Sequence, residues 1–360
     1  MRATAASAVV TQRFARHGFV DRPASTAAHA ARLSCGLQAQ DPQAARLGVR
    51  ARAATVTEAD VFRAMDVDRT VVRTSLMRAT IHLVDAADAR WLSALIGPSI
   101  ARKFQKRWRE LGLTPDLLHG AVAVLPEALA AGPRTRPEIV AALAARGIAV
   151  DTADQAPTHL LLHATTLGLV CRGPDRGREP TFVLLDDWLP DAPAGPRGDD
   201  ALAELARRYF QAFSPATAAD FTTWSGLPSA HAIGLIRDQL RPADVGGRAG
   251  YSFGDAEPQR GLRLLPAFDN YLVGYRERDL IIETTRRPEV YVGGVIRPSV
   301  LLDGRVIGTW RLDRKPGAGT VQVSAFGQVP RKVRAAIDAE AADIARFLDL
   351  PVTLRVAAPA

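Results

Sequence analysis

A chain of 360 residues, 47 % hydrophobic and 23 % charged, is too long for one ordinary domain and too apolar for a disordered or collagen-like one. Two cysteines, Cys35 and Cys171, exclude a disulfide framework and a Cys-rich zinc site, and no run of about 18 apolar residues is present to span a bilayer. The net charge of +8 is unevenly placed: residues 1–110 are positive by nine, 111–259 negative by six and 260–332 positive by six. Two basic blocks around an acidic middle, with Arg far outnumbering Lys, suit a phosphate-backbone partner if the fold brings both ends to one surface.

The start, MRATAASAVVTQRFARHGF, breaks at Gln12 and Arg13 and reads as no secretory signal, so a reduced, cytoplasmic protein is expected. Along the chain an internal repeat stands out. Thr57 with Asp60, Thr135 with Glu138 and Thr217 with Asp220 each place a Thr three residues before an acid. Each pair opens a short amphipathic run, VFRAM, IVAALAARGI and FTTWSGL, as an N-cap with an acid in the first turn does. The starts lie 78 and 82 residues apart, about one small helical module each.

In the first unit VVRTSLMRA and TIHLV are read as a hairpin, with the second helix weakly marked. In the second unit a helix ends at Arg146-Gly147, and Ala156–Thr166 is expected to form another. GLVCRG and PTFVLLDDWL then form two strands around the loop Gly173–Pro180. In the third unit FTTWSGL and SAHAIGLIRDQL flank a turn at Gly226-Leu227-Pro228. Helix, turn, helix, hairpin is the order of a winged helix-turn-helix. Beyond Gly246-Gly247 the texture is strand-rich, at Val290–Val295, Val300–Leu302, Val306–Leu312 and Thr320–Ala325. Asp303-Gly304 signals a tight hairpin turn, Asp313–Gly319 forms the tip of a second hairpin, and Arg331–Leu348 is a closing amphipathic helix. The expected fold is mixed α+β and mainly helical: three tandem winged helices around a basic concave cleft, with a C-terminal strand-rich unit. The expected boundaries are 1–112, 113–197, 198–258 and 259–360.

Phosphate-loop and GxGxxG motifs are absent. His159 and His163, at i,i+4, lack the Glu of a metalloprotease and a third ligand, and read as a helix face with no metal. Gln38 and Gln40 follow an apolar helical run, and on a continued helix they would diverge by about 200°. Pro42 disfavours helix at Asp41, so from spacing alone the two amides cap a helix end, and an irregular exit would turn both to one side. Arg46, Arg50 and Arg52 follow within reach of a phosphate backbone.

Gln38-Ala39-Gln40-Asp41-Pro42 and Arg78-Ala79-Thr80-Ile81-His82-Leu83-Val84 resemble the AlkZ-like winged-helix DNA glycosylases. Phe213–Thr217, Asp220-Phe221 and Trp224–Gly226 are similar to that family's third module, as are Leu265–Tyr275 and Gly304–Trp310 to its C-terminal part. The resemblance runs from about residue 25 to 350. It implies three winged helices around a basic face, and excision of bulky alkylated purines with unhooking of interstrand crosslinks. It also implies Gln38 and Gln40 as the catalytic motif, in the Q-x-Q form associated with antibiotic producers protecting their own DNA. The implied partner is duplex DNA carrying adducts or crosslinks, bound by a monomer without a cofactor. Expected DNA contacts are Arg46, Arg50, Arg52 and Arg78, with Arg311, Arg314 and Lys315 on a probing hairpin. The four lysines, at 103, 106, 315 and 332, lie far from the glutamines in sequence, against a Schiff-base lyase step. His82 and Asp269, in the same motifs, read as a buried histidine and a turn cap. The alternatives are a winged-helix transcriptional regulator without chemistry, and a protein that sequesters a genotoxic antibiotic in an apolar pocket. The apolar APTHLLLHATT, without Arg, is ill suited to reading a major groove.

Overall fold

The computed structural model describes residues 2–357; residue 1 and residues 358–360, at the outer ends of the first and last expected units, lie outside them. Helix α1 (Arg2–Arg16) precedes a first unit of α2 (Ala27–Leu33), β1 (Leu37–Gln38), α3 (Pro42–Arg52), α4 (Glu58–Asp66) and the hairpin β2 (Val71–Ser75) and β3 (Ile81–Asp85). The long α5 (Ala86–Glu110) leads to α6 (Pro115–Leu129), β4 (Arg134–Thr135), α7 (Arg136–Ala144), α8 (Ala156–Thr166), β5 (Val170–Arg172) and β6 (Thr181–Leu184). After the single turn α9 (Leu185–Trp188) come α10 (Gly198–Phe213), α11 (Ala218–Ser225), α12 (Ser229–Leu235), β7 (Leu240–Asp244) and β8 (Ala249–Phe253). The remainder is β9 (Leu262–Leu265), α13 (Asn270–Val273), α14 (Arg287–Val290), β10 (Tyr291–Val292), β11 (Val295–Ile296), β12 (Ser299–Leu302), β13 (Arg305–Lys315), β14 (Ala318–Ala325), α15 (Arg331–Leu348) and β15 (Val352–Ala357). The mixed, mainly helical class is as expected. The order helix, short strand, two helices, hairpin occurs three times, with the bridge Ala216–Tyr251 standing for the short strand of the third. None of the described helices is long and apolar enough to cross a membrane.

All three Thr–acid pairs close as reciprocal capping boxes, yet they do not mark equivalent places. Thr135 and Thr217 start the helix that follows the short strand or bridge, whereas Thr57 starts the next one, α4. The equivalent start in the first unit is Asp41, whose carboxylate accepts from the Gln43 and Ala44 amides, with Pro42 at the first helical position. Proline with an Asp cap opens a helix as well as a Thr box does. Pro42 therefore begins α3, and the first unit starts at α2, well before Thr57. Helices α8 and α15 have the expected bounds. Strand β6 stops at Leu184, where Leu185–Trp188 turns into α9. The second C-terminal hairpin pairs out to Lys315–Ala318, so its tip is only Pro316-Gly317.

The hairpins of the first two units form one six-stranded sheet, β1-β3-β2-β5-β6-β4, joined where Arg73 faces Arg172. Gly97 of α5 allows α8 to cross closely: a Cβ there would stand 1.9 Å from the Thr166 carbonyl oxygen. A five-stranded sheet, β15-β14-β13-β12-β9, forms the C-terminal unit. Leu37, Leu47 and Leu83 share one apolar core with Leu264, Trp310 and Phe347. The first unit therefore rests on the C-terminal sheet and α15, which between them support the segment carrying the glutamines.

Candidate active site

Cys35 and Gly36, both at positive φ (51° and 94°), turn the chain out of α2 and into β1. There Gln38 faces His82 across the ladder, and the Ala39 amide donates to the Ile81 carbonyl at 2.7 Å. Alternate residues of extended backbone share a face, so both glutamines point to one side while Ala39 enters the core. Gln38 Nε2 donates to Gln40 Oε1 at 2.8 Å. Gln40 is exposed and Gln38 is 6 % exposed, with its Oε1 buried and without a partner among the described residues. A buried amide oxygen with free lone pairs is a place for a donor or a positive charge brought by a ligand.

A cavity of about 180 Å³ adjoins Gln40, walled by Thr74 and Ile81 of the first unit and by Arg136, Leu161 and Arg172 of the second. Arg172 lies 4.2 Å over the Phe182 ring, and burial, with Arg73 beside it, brings its pKa down to about 10. Arg136 donates to the Thr158 hydroxyl. Both are candidate functional cations that sequence reasoning missed. Arg136 is hidden inside a capping box, and Arg172 reaches the site only through the β2–β5 edge, which no local pattern announces.

His82 is buried, and its Nδ1 donates to the Thr80 carbonyl at 2.9 Å. Burial brings its pKa down to about 4; the wholly buried His17 is likewise depressed, by burial and then by Arg52 and Arg13. Between the ordinary value near 6.5 and about 4 the unfolded chain binds a proton that the folded chain does not. Stability is thus complete above about pH 6.5 and lost as pH falls towards 4, by about 3 kcal/mol from His82. Urea titrations at pH 7 and 4.5 are expected to show this fall, and His82→Gln to make it shallower. A variant curve parallel to the parent's would contradict the assignment to His82.

The structure corrects two of the expected DNA contacts. Arg50 is fully buried, bonding Asp343 at 2.7 Å, Glu340 at 3.1 Å and the Leu264 carbonyl at 2.7 Å. Arg52 is fully buried, donating twice to Asp269 at 2.9 and 3.0 Å. The C-terminal unit encloses this end of α3, so neither guanidinium meets solvent. Arg46 bonds Glu58 at 2.9 Å and lies 4.5 Å over Phe62, and Arg314 reaches the same carboxylate at 2.9 Å. Arg78, half-buried at φ 60°, donates to the Thr223 carbonyl at 3.2 Å; burial and then Arg278 lower its pKa. Arg311 is exposed beside Asp313 at 3.4 Å, and Lys315 is exposed next to the hairpin tip. Asp269 caps a turn, as expected, accepting from the Tyr271 amide at 2.9 Å. His159 and His163 pack on Phe104 and Trp108 respectively. Among the described residues no three His, Cys, Asp or Glu are grouped to hold a metal.

A family model described as DNA glycosylase AlkZ-like matches residues 31–347. The interstrand DNA cross-link repair glycosylase of Streptomyces sahachiroi is 29 % identical over 332 residues, which span 87 % of this chain and 88 % of that protein. The solved structure of Streptomyces sahachiroi DNA glycosylase AlkZ is similar at a TM-score of 0.82 and 26 % identity, covering 98 % of this chain and 99 % of that one.

Proposed function

Because this chain belongs to the AlkZ-like DNA glycosylase family, we propose that it hydrolyses the glycosidic bond of bulky N-alkylated purines, chiefly N7-alkylguanine, and unhooks interstrand crosslinks in duplex DNA. The observation that carries this reading is the buried Gln38 Oε1, unpartnered among the described residues, beside Gln40. Alkylation at N7 makes the base cationic, so it leaves with the C1′–N9 electron pair and needs no protonation. What remains is to stabilise the oxocarbenium-like sugar and to place the water whose oxygen bonds C1′ and whose proton is released. Neutral amide oxygens do both by dipole and hydrogen bond without titrating. An open cleft suits a crosslink, whose tethered base is not free to swing into a deep pocket.

The reading keeps three winged helices, at 1–112, 113–197 and 198–258, around a basic cleft, with residues 259–360 supplying the hairpin. It also keeps a monofunctional enzyme, monomeric, cytoplasmic and without a cofactor, in a role of self-resistance to a genotoxic natural product. A regulator would turn α8 to base edges; that helix instead lends Leu161, Leu162 and Thr165 to the cavity beside Gln40. The deciding experiment incubates the protein with duplex DNA bearing a bulky N7-alkylguanine and then cleaves abasic sites with alkali. Strand breaks at the adduct support the reading, whereas intact strands with both monoadducts and crosslinks would favour a regulator.

Arg311, Lys315 and Arg78, and at the cavity Arg136 and Arg172, are the proposed backbone contacts, with Arg46 and Arg314 joined through Glu58 near the tip of the hairpin. Arg311→Ala with Lys315→Ala is expected to make the slope of log K against log salt shallower by about 2. An unchanged slope removes the hairpin from the DNA interface.

A further inference from the structure

Strand β1 is the free edge of its sheet and only two residues long, which is little to hold a reactive side chain still. Its outer edge is met by one side chain distant in sequence. Asn270, 1 % exposed at the start of α13, accepts from the Gln38 amide at 3.1 Å through Oδ1. Its Nδ2 donates to the Ser34 carbonyl at 3.1 Å and to the Gly36 carbonyl at 2.6 Å. Two donors and one acceptor on a short stem therefore satisfy three main-chain groups of the turn that delivers Gln38. An ionised Asp offers no donor, and Ser or Thr only one.

The neighbouring Asp269 holds the other flank. It grips Arg52 near the end of α3, the helix that opens two residues after Gln40. Consecutive residues of the C-terminal unit thus clamp the turn before the glutamines and the helix behind them. The cross-strand bonds of β1 to β3 fix its inner edge only, so the peptide plane from which the Gln38 side chain departs is set by Asn270.

We propose that Asn270 is the positioning residue of the glutamine motif: its carboxamide takes the place of a missing strand and fixes the pose of Gln38. The proposal rests on the glycosylase reading, with Asn270 acting through Gln38 and touching no substrate.

Asn270→Asp is nearly isosteric and tests the donors alone. Its ionised carboxylate would face the Ser34 and Gly36 carbonyls and repel both, whereas the protonated acid donates to one of them and still accepts from Gln38. Burial and the two carbonyls favour the protonated form. In single-turnover excision by the full chain at saturating enzyme, the variant is expected to be at least tenfold slower than the parent at pH 8. The ratio of variant to parent rises as pH is lowered to 5.5, and duplex affinity stays within twofold at each pH. Asn270→Ala is slow throughout, with no recovery. A ratio that is flat with pH, or a loss of affinity in step with rate, overturns the positioning role.

Hydrogen exchange supplies a readout independent of substrate. Peptides covering residues 34–40 are expected to exchange at least tenfold faster in Asn270→Ala, and in Asn270→Asp at pH 8, with the rest of the chain as in the parent. Unchanged protection there overturns the proposal whether or not excision is seen. Raised exchange in the variants together with a parent inactive on every adduct would overturn the glycosylase reading and leave the clasp standing.

Discussion

Gln38→Ala is expected to lower single-turnover excision of N7-alkylguanine by a hundred- to a thousandfold while changing duplex affinity less than twofold. The magnitude is that of removing one preorganised dipole from a developing charge, about 3–4 kcal/mol of barrier. Gln38 is only 6 % exposed, so its truncation removes little surface that could meet a backbone, and binding has no reason to move. Gln40→Ala acts differently. It exposes Gln38 Nε2, the donor that Gln40 Oε1 now occupies at 2.8 Å, and leaves the Gln38 amide free to rotate. A loss of similar order is expected, and the double variant should be little worse than either single one, because the two amides work as a bonded pair. Full additivity of the two losses would mean independent roles. Loss of affinity with turnover retained would remove both from catalysis.

The largest effect on stability is expected from Glu340→Ala. This buried carboxylate on α15 pairs with Arg50, with Arg263 and with the Leu264 amide at 2.8 Å. Arg263 already has its pKa brought down to about 10, by burial foremost. Truncating Glu340 removes the carboxylate with which Arg263 pairs and leaves Arg50 paired with Asp343 alone. Stranding a buried charge costs about 3–5 kcal/mol, far more than the intact pair contributes. Denaturant unfolding is the measurement, with Glu340→Gln expected to lose less because its amide oxygen still accepts. A loss below about 1 kcal/mol for Glu340→Ala would mean that water reaches the guanidiniums.

The features most legible in the sequence are those whose causes are local. Three Thr–acid boxes, the Asp303-Gly304 turn and the bounds of α8 and α15 each depend on a handful of neighbouring residues. Gln38 and Gln40 are legible as residues but not as a geometry. A two-residue strand has no period, and its partner His82 lies far along the chain, so two amides capping a helix end is the nearer inference. Arg50 and Arg52 show the same lesson from the other side. A run of arginines looks alike whether it meets phosphate or buried carboxylates, and here the carboxylates, Asp269 and Glu340, are more than two hundred residues away. Arg136 and Arg172 are not legible as site residues in the sequence because a sheet spanning two units, and not either unit alone, brings them to the cavity with Gln40.

The Gln38–Asn270 bond spans 232 positions of the chain, and this has a consequence for synthesis. A ribosome adding about 5–20 residues per second delivers Asn270 roughly 10–50 s after Gln38, and Glu340 later still. Through that interval the nascent first unit lacks the floor of its own core. The glutamine motif therefore takes its final pose only when translation is nearly finished, and prematurely terminated chains carry both glutamines without the groups that aim them.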